Sequence, residues 1–126
     1  MIDGAPMYSI IYYKPARLVR LTWHAGTAGM TDQDFKETLE AFAESALQHR
    51  AHRLIIDVRE FKHRPSAEVS AWRDDVTVDK YNRAGVKKVV WVWPVNTPSN
   101  MPDSEKAKYE NRYCATEAEA LAWIVP

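Results

Sequence analysis

The stretch Arg53-Leu54-Ile55-Ile56-Asp57-Val58 contains three consecutive large apolar residues that end at a carboxylate. A run this short and this apolar predicts a strand that is buried on both faces, as in the interior of a sheet. A second run of the same kind, Val89 to Trp93, is halted by Pro94. Because helical spacing lies on either side of these strands, the pattern predicts an α/β domain.

The segment before the central strand predicts an amphipathic helix. Thr31 is placed to be its N-cap, and Asp32 and Asp34 favour the positive end of the helix dipole. The apolar stripe consists of Phe35, Leu39, Phe42, Ala43, Ala46 and Leu47. Burying each large member of this stripe contributes about 1.5–3 kcal/mol.

The segment after the central strand predicts a second helix. Ser66 is placed to cap it, and Val69, Trp72 and Val76 follow at helical spacing. Gly85 is a typical residue for its carboxyl-terminal stop.

The two ends of the chain add a hairpin and a final helix. Runs from Met7 to Tyr13 and from Leu18 to Trp23 are joined by a short loop with a proline, which predicts a hairpin.

Near the other end, we expect a loop from Asn96 to Asp103, a short polar helix from Ser104, and a last strand at Arg112-Tyr113-Cys114. Thr116 and Glu119 form a capping-box pattern before a helix through Leu121 and Ile124. The prediction is a mixed five-stranded sheet with about four helices packed against it.

Length and composition fit one domain over residues 1–126. Lysine plus arginine equals aspartate plus glutamate, at 17 each, so the net charge gives no attraction to nucleic acid. The single cysteine, Cys114, excludes an intramolecular disulfide and favours a reducing compartment. We expect a cytoplasmic protein with no signal peptide and no transmembrane segment, since the longest apolar run is Val89 to Val95.

The element order and several phrases resemble the SpoIIAA-like proteins of the STAS superfamily, which indicates a bacterial-type domain. The phrases are the opening hairpin, the Phe35 to Leu47 helix, Leu54-Ile55-Ile56-Asp57, Ala84-Gly85-Val86-Lys87-Lys88 before Val89 to Trp93, and Glu117-Ala118-Glu119-Ala120-Leu121-Ala122-Trp123. The resemblance covers nearly the whole chain.

The resemblance implies a domain that is not an enzyme. Anti-sigma-factor antagonists of this superfamily bind partner proteins and are switched by phosphorylation of a serine that opens the helix after the central strand. The matching residue is Ser66. Where the antagonists carry an Asp-Ser-Ser-Gly-like phrase, this chain has Arg64-Pro65-Ser66-Ala67. Single-domain relatives are instead suggested to carry small apolar ligands or to associate with membranes.

Two groups of residues are candidate sites. The loop from Arg59 to Ser66 precedes a helix N-terminus, where Arg59, Lys62 and Arg64 could hold an anion or a phosphate on Ser66. The alternative is that Ser66 is only a cap and the basic residues are solvated. Four tryptophans could instead line an apolar ligand pocket, or they are ordinary core residues. They are Trp23, Trp72, Trp91 and Trp93.

No motif indicates catalysis, a metal or a cofactor. His49 and His52 are three residues apart, but the neighbouring arginines Arg50 and Arg53 would repel a cation. Cys114 and His24 have no reactive turn around them, and the glycines form no phosphate-binding loop.

We therefore predict a non-enzymatic binding or regulatory domain that acts through a protein partner or a small apolar ligand. One alternative is an enzyme of unrecognised type with a cleft near the Arg59–Ser66 loop. Another is a structural homo-oligomer, a homodimer that pairs through Tyr8, Ile10 and Tyr12 on the edge of the hairpin.

Overall fold

A computed structural model describes residues 7–64, 66–93 and 108–124, apart from the side chain of Asp74. The elements are β1 (Tyr8–Tyr13), β2 (Leu18–Trp23), α1 (Asp32–His49), β3 (Arg53–Asp57), α2 (Ala67–Ala84), β4 (Lys88–Val92), β5 (Glu110–Cys114) and α3 (Glu117–Ile124). Two short 3₁₀ turns, Lys14–Ala16 and Ala25–Gly29, follow β1 and β2.

The five strands lie in the order in which they occur in the chain, β1-β2-β3-β4-β5. The first pair is antiparallel and the other three pairs are parallel. This confirms the predicted hairpin and the mixed five-stranded sheet. The described residues contain three α-helices, and the expected loop at Asn96 and helix at Ser104 lie outside them, as does Pro94.

Helices α1 and α2 cover one face of the sheet. Alternate strand residues such as Val19, Leu54 and Val89 meet them there. The two helices meet where the Phe42 and Tyr81 rings contact edge to face, 5.9 Å apart. This face holds the larger hydrophobic core.

Helix α3 covers part of the other face. Ile55 and Val90 are fully buried there against Ala120 and Ile124. The central strand β3 is therefore buried on both faces, as predicted. Leu121 of α3 is 39% exposed and lies outside this core. No helix among the described residues is long and apolar enough to cross a membrane.

The buried stripe of α2 differs from the predicted one. Val69 is buried as expected, but Trp72 and Val76 are only half-buried. Thr77 and Tyr81 lie on the stripe instead. Thr77 can be buried because its hydroxyl donates to the Arg73 carbonyl, 2.7 Å away, so no polar group is left unsatisfied.

Candidate functional site at the start of helix α2

Helix α2 begins at an exposed serine beyond the carboxyl end of β3. As predicted, Ser66 is the N-cap, and its hydroxyl accepts a hydrogen bond from the Val69 backbone N–H at 3.3 Å. Its carbonyl accepts from the Ser70 N–H at 3.0 Å. Because Ser66 is exposed, another protein can reach its hydroxyl.

The loop before Ser66 is held in place by a buried threonine. The Lys62 backbone N–H donates to the Thr27 hydroxyl oxygen at 2.7 Å, and this hydroxyl donates to the His24 carbonyl at 2.8 Å. Thr27 is completely buried. Sequence analysis did not find Thr27, because a threonine between two glycines indicates only a break in the pattern.

Aromatic rings support the same loop. The Phe61 ring lies 4.8 Å from Trp23 and 5.7 Å from Phe35, measured between centroids. The His63 imidazole lies 5.9 Å from the Phe35 ring. These contacts fix the direction of His63, whose side chain is mostly shielded from solvent.

A single carboxylate joins the amino-terminal ends of α1 and α2. His63 Nε2 lies 2.9 Å from Oδ1 of Asp32, the first residue of α1. This hydrogen bond, with a smaller effect of the nearby polar groups of Ser66, outweighs desolvation and lowers the pKa of Asp32. We call Asp32, Lys62, His63, Arg64 and Ser66 the α2 start surface.

The structure divides the predicted anion-binding cations into two sets. Lys62 and Arg64 are exposed, and neither forms an ion pair with a described residue. Arg59 instead forms two hydrogen bonds with the Asp57 carboxylate, with Nε 3.0 Å from Oδ1 and Nη2 2.7 Å from Oδ2. Its donors are therefore directed to β3, and an anion site at Ser66 would rely on Lys62 and Arg64.

Asp57 belongs to a charge network that sequence analysis did not find. Its carboxylate also lies 3.1 Å from Arg20, which in turn lies 2.8 Å from Glu117 at the start of α3. Burial raises the pKa of Asp57, but hydrogen bonds from Arg59 and the charge of Arg20 prevail and leave the pKa below its ordinary value. The network balances two cations with two carboxylates and ties β2, β3 and α3 together.

A family model for SpoIIAA-like proteins matches residues 20–125. The chain belongs to the SpoIIAA-like family. The match begins within β2 and takes in every later element, so it confirms both the resemblance and the fold. No match was found among curated proteins or among solved structures.

The tryptophans of this SpoIIAA-like domain do not contact one another through their rings in the described structure. Trp23 stacks on Phe35 at 5.5 Å. Trp72 is half-buried, with the Lys36 amino group 5.5 Å from its ring. The four residues therefore lie in different surroundings, and a common ligand pocket lined by them stays a prediction.

The other two tryptophans share one neighbour, Tyr113. Their rings lie 6.0 Å (Trp91) and 5.9 Å (Trp93) from it. The Trp91 indole N–H donates to Asn111 Oδ1 at 3.3 Å, which gives it the polar partner that a buried indole needs. The Trp93 indole N–H is buried and has no hydrogen-bond partner among the described residues.

The remaining candidate residues are separated from one another. Cys114 ends β5, while His24 follows β2, and two strands lie between them. Burial raises the pKa of the Cys114 thiol, which makes it a poor nucleophile. His49 stacks on Tyr12 at 3.9 Å. No group of three metal-ligating side chains occurs among residues 7–64, 66–93 and 108–124.

Proposed function

We propose that this SpoIIAA-like domain is a non-enzymatic regulatory domain that binds a protein partner through the α2 start surface. The observation that carries the proposal is the exposed Ser66, which caps α2 next to His63, whose ring is hydrogen-bonded to the carboxylate of Asp32. Two exposed cations, Lys62 and Arg64, precede it in the chain. Such a surface offers directional polar contacts and a charge that a partner can recognise.

The described side chains favour binding over catalysis. Among the described residues, one hydroxyl–imidazole pair occurs, with the Ser9 oxygen 2.6 Å from His24 Nε2. No carboxylate among the described residues contacts the His24 ring to orient it, as the base of an activated nucleophile requires. Asp57 is neutralised by two arginines rather than held ready to transfer a proton.

Ser66 would act as the switch of this surface. A phosphate adds about −1.5 to −2 charges at neutral pH. On Ser66 it would add negative charge close to the Asp32 carboxylate, which already accepts a hydrogen bond from His63. We infer that the modification rearranges the junction of α1 and α2 and thereby changes partner affinity.

Charge reversal tests the location of the binding surface. The purified domain is immobilised, and proteins captured from the host's own extract are compared between wild type and Lys62→Glu/Arg64→Glu. A matched control, Lys108→Glu/Arg112→Glu, makes the same charge change on exposed residues at the β5 edge. We expect a partner that the wild type and the control retain at similar levels and that the loop variant loses by about tenfold or more.

Two results would argue against the proposal. Equal capture by both variants would place the partner elsewhere on the domain. Loss in both variants would show that capture follows net charge rather than the α2 start surface.

A homodimer is a second candidate, and the β1 edge favours it. The hydrogen bond from the His24 N–H to the Met7 carbonyl (2.9 Å) fixes which β1 residues bond to β2. By alternation, the backbone groups of Tyr8, Ile10 and Tyr12 point to the free edge. The strand carries no charged residue and no proline, the usual protections of an edge.

The tryptophans and Cys114 bear on the ligand and on the compartment in which the domain works. A small apolar ligand is the weaker version, because the tryptophans expected to line its pocket have separate neighbours. The buried, unpaired Cys114 fits a reducing compartment, so we propose that the domain works in the cytoplasm.

A further inference from the structure

A cleft lies at the end of the sheet opposite the α2 start surface, where the parallel strands begin. It is open to solvent and has a volume of about 560 Å³. Its lining consists of Tyr12, Lys14, Pro15, Arg17, Gln48, His49 and Arg50. We call these residues the basic cleft, because three of them are cationic and none is acidic.

More cations surround the basic cleft. Arg53 begins β3 and Lys87 precedes β4, and the backbone N–H groups of His52 and Arg53 both donate to the Arg17 carbonyl. Lys14, Arg17, Arg53 and Lys87 form no ion pair with a carboxylate among the described residues, and neither does Arg50. Since the chain has no net charge, this is a local excess of positive charge.

The pKa of His52 is affected by these neighbouring cations. Burial lowers its pKa, and the charges of Arg17, Arg53 and Lys87 lower it further. Arg17 Nη1 lies 3.4 Å from His52 Nε2, so the guanidinium faces a neutral ring nitrogen rather than a counter-ion. Within the described part of the chain, these cations therefore have no carboxylate that would offset their mutual repulsion.

Two of the arginines stand where glycine would be less strained. Arg17 has φ +48° and Arg50 has φ +50°, both in the left-handed region. Arg50 is the C-cap of α1, where a cation is favoured by the helix dipole. That effect does not explain Lys14 and Arg17, which come from the hairpin loop.

We propose that the basic cleft binds the phosphate group of a phosphorylated ligand. Arginine side chains offer paired N–H donors that match phosphate oxygens, and Lys14 adds a point charge. The stacked rings of Tyr12 and His49, 11° from parallel, and Pro15 form an apolar wall for the rest of the ligand. This site is separate from the α2 start surface, and its test is independent of partner binding.

Titration with inorganic phosphate and phenyl phosphate tests the site, with sodium chloride at equal ionic strength as the reference for screening. NMR follows the amides of Lys14, Arg17 and Arg50 and the His52 ring. We expect saturable shifts at these positions and a rise in the pKa of His52, because a bound anion offsets the neighbouring cations. Phenyl phosphate is expected to bind more tightly than inorganic phosphate.

Arg17→Gly is the decisive variant, because glycine adopts φ +48° without strain and we therefore expect the variant to keep the fold. We expect it to lower phosphate affinity by about tenfold or more. Lys108→Gln removes one exposed charge at the far edge of the sheet and is expected to bind like wild type.

The source of the phosphate is separated by a second assay. In this assay the domain is mixed with vesicles that contain phosphatidic acid. If the wild type sediments with the vesicles and Arg17→Gly does not, the phosphate belongs to a lipid headgroup. Saturable binding of the soluble phosphates without sedimentation would place it on a soluble ligand. Absence of both, or equal binding by wild type and Arg17→Gly, would overturn the proposal.

Discussion

Asp57 is the most deeply buried carboxylate of the described charge network, with a side chain only 4% exposed. Asp57→Asn leaves Arg20 and Arg59 without their buried counter-charge, and we expect it to lower the free energy of unfolding by about 3 kcal/mol at neutral pH. Glu117→Gln, at a side chain that is 41% exposed, should cost about 1 kcal/mol or less. Urea denaturation measures both.

The same carboxylate makes stability depend on pH. Its pKa in the folded domain is below the ordinary value of 3.8. The stabilisation is therefore complete above pH 3.8 and is lost as the pH falls through the folded pKa. The difference between wild type and Asp57→Asn should shrink in that acid range. A constant difference would show that Asp57 acts through packing rather than charge.

At the residue scale, the sequence predicted what depends on near neighbours. Thr31 and Ser66 were correctly predicted as caps, because a cap bonds to an N–H three residues away. Thr27 and Arg20 were not predicted, since Thr27 bonds to a residue 35 positions away and Arg20 to one 97 positions away. No local pattern indicates such a partner.

At the element scale, the homodimer hypothesis depends on the free edge of strand β1. Antiparallel pairing centred on Ile10 would place Tyr8 opposite Tyr12 of the second copy and use all the outward backbone groups. The opposite edge of the sheet, β5, carries Glu110 and Arg112, which discourage such pairing. One edge is thus protected by charge and the other is not.

Sedimentation at several concentrations tests this pairing. We expect the wild type to dimerise and Ile11→Lys to stay monomeric. Ile11 is exposed, and a lysine at this position would bring a positive charge from each copy close to the two-fold axis. Leu121→Lys is the control, since it places the same charge on an exposed apolar position of α3. A wild type that is monomeric at every concentration would exclude the pairing.

Most elements followed from the period of their apolar residues, and the departures have local causes. The predicted capping box of α3 forms only in part. Thr116 accepts from the Glu119 N–H at 3.1 Å, but the Glu119 carboxylate accepts from the Thr116 hydroxyl instead of a backbone N–H. The sequence does not indicate which of the two nearby donors, the Thr116 hydroxyl or a backbone N–H, the Glu119 carboxylate will accept from.

At the scale of the whole molecule, exposed basic residues lie at both ends of the sheet although the total charge is zero. The carboxyl end of the sheet holds the α2 start surface, and the opposite end holds the basic cleft. The sequence singled out the loop from Arg59 to Ser66 as a candidate because its residues are continuous, but it did not indicate that Asp32 would lie beside that loop. It did not predict the second, because Tyr12 to Arg17 and Gln48 to Arg50 meet only after folding.

The measurement that most directly tests the regulatory role is the affinity of the captured partner for Ser66→Asp and Ser66→Ala. Aspartate keeps the helix cap but sets a second carboxylate beside Asp32, whereas alanine loses the cap, at about 1 kcal/mol, and adds no charge. We expect Ser66→Asp to change the dissociation constant by about tenfold and Ser66→Ala to bind within about threefold of wild type. Wild-type affinity in both variants would contradict the account.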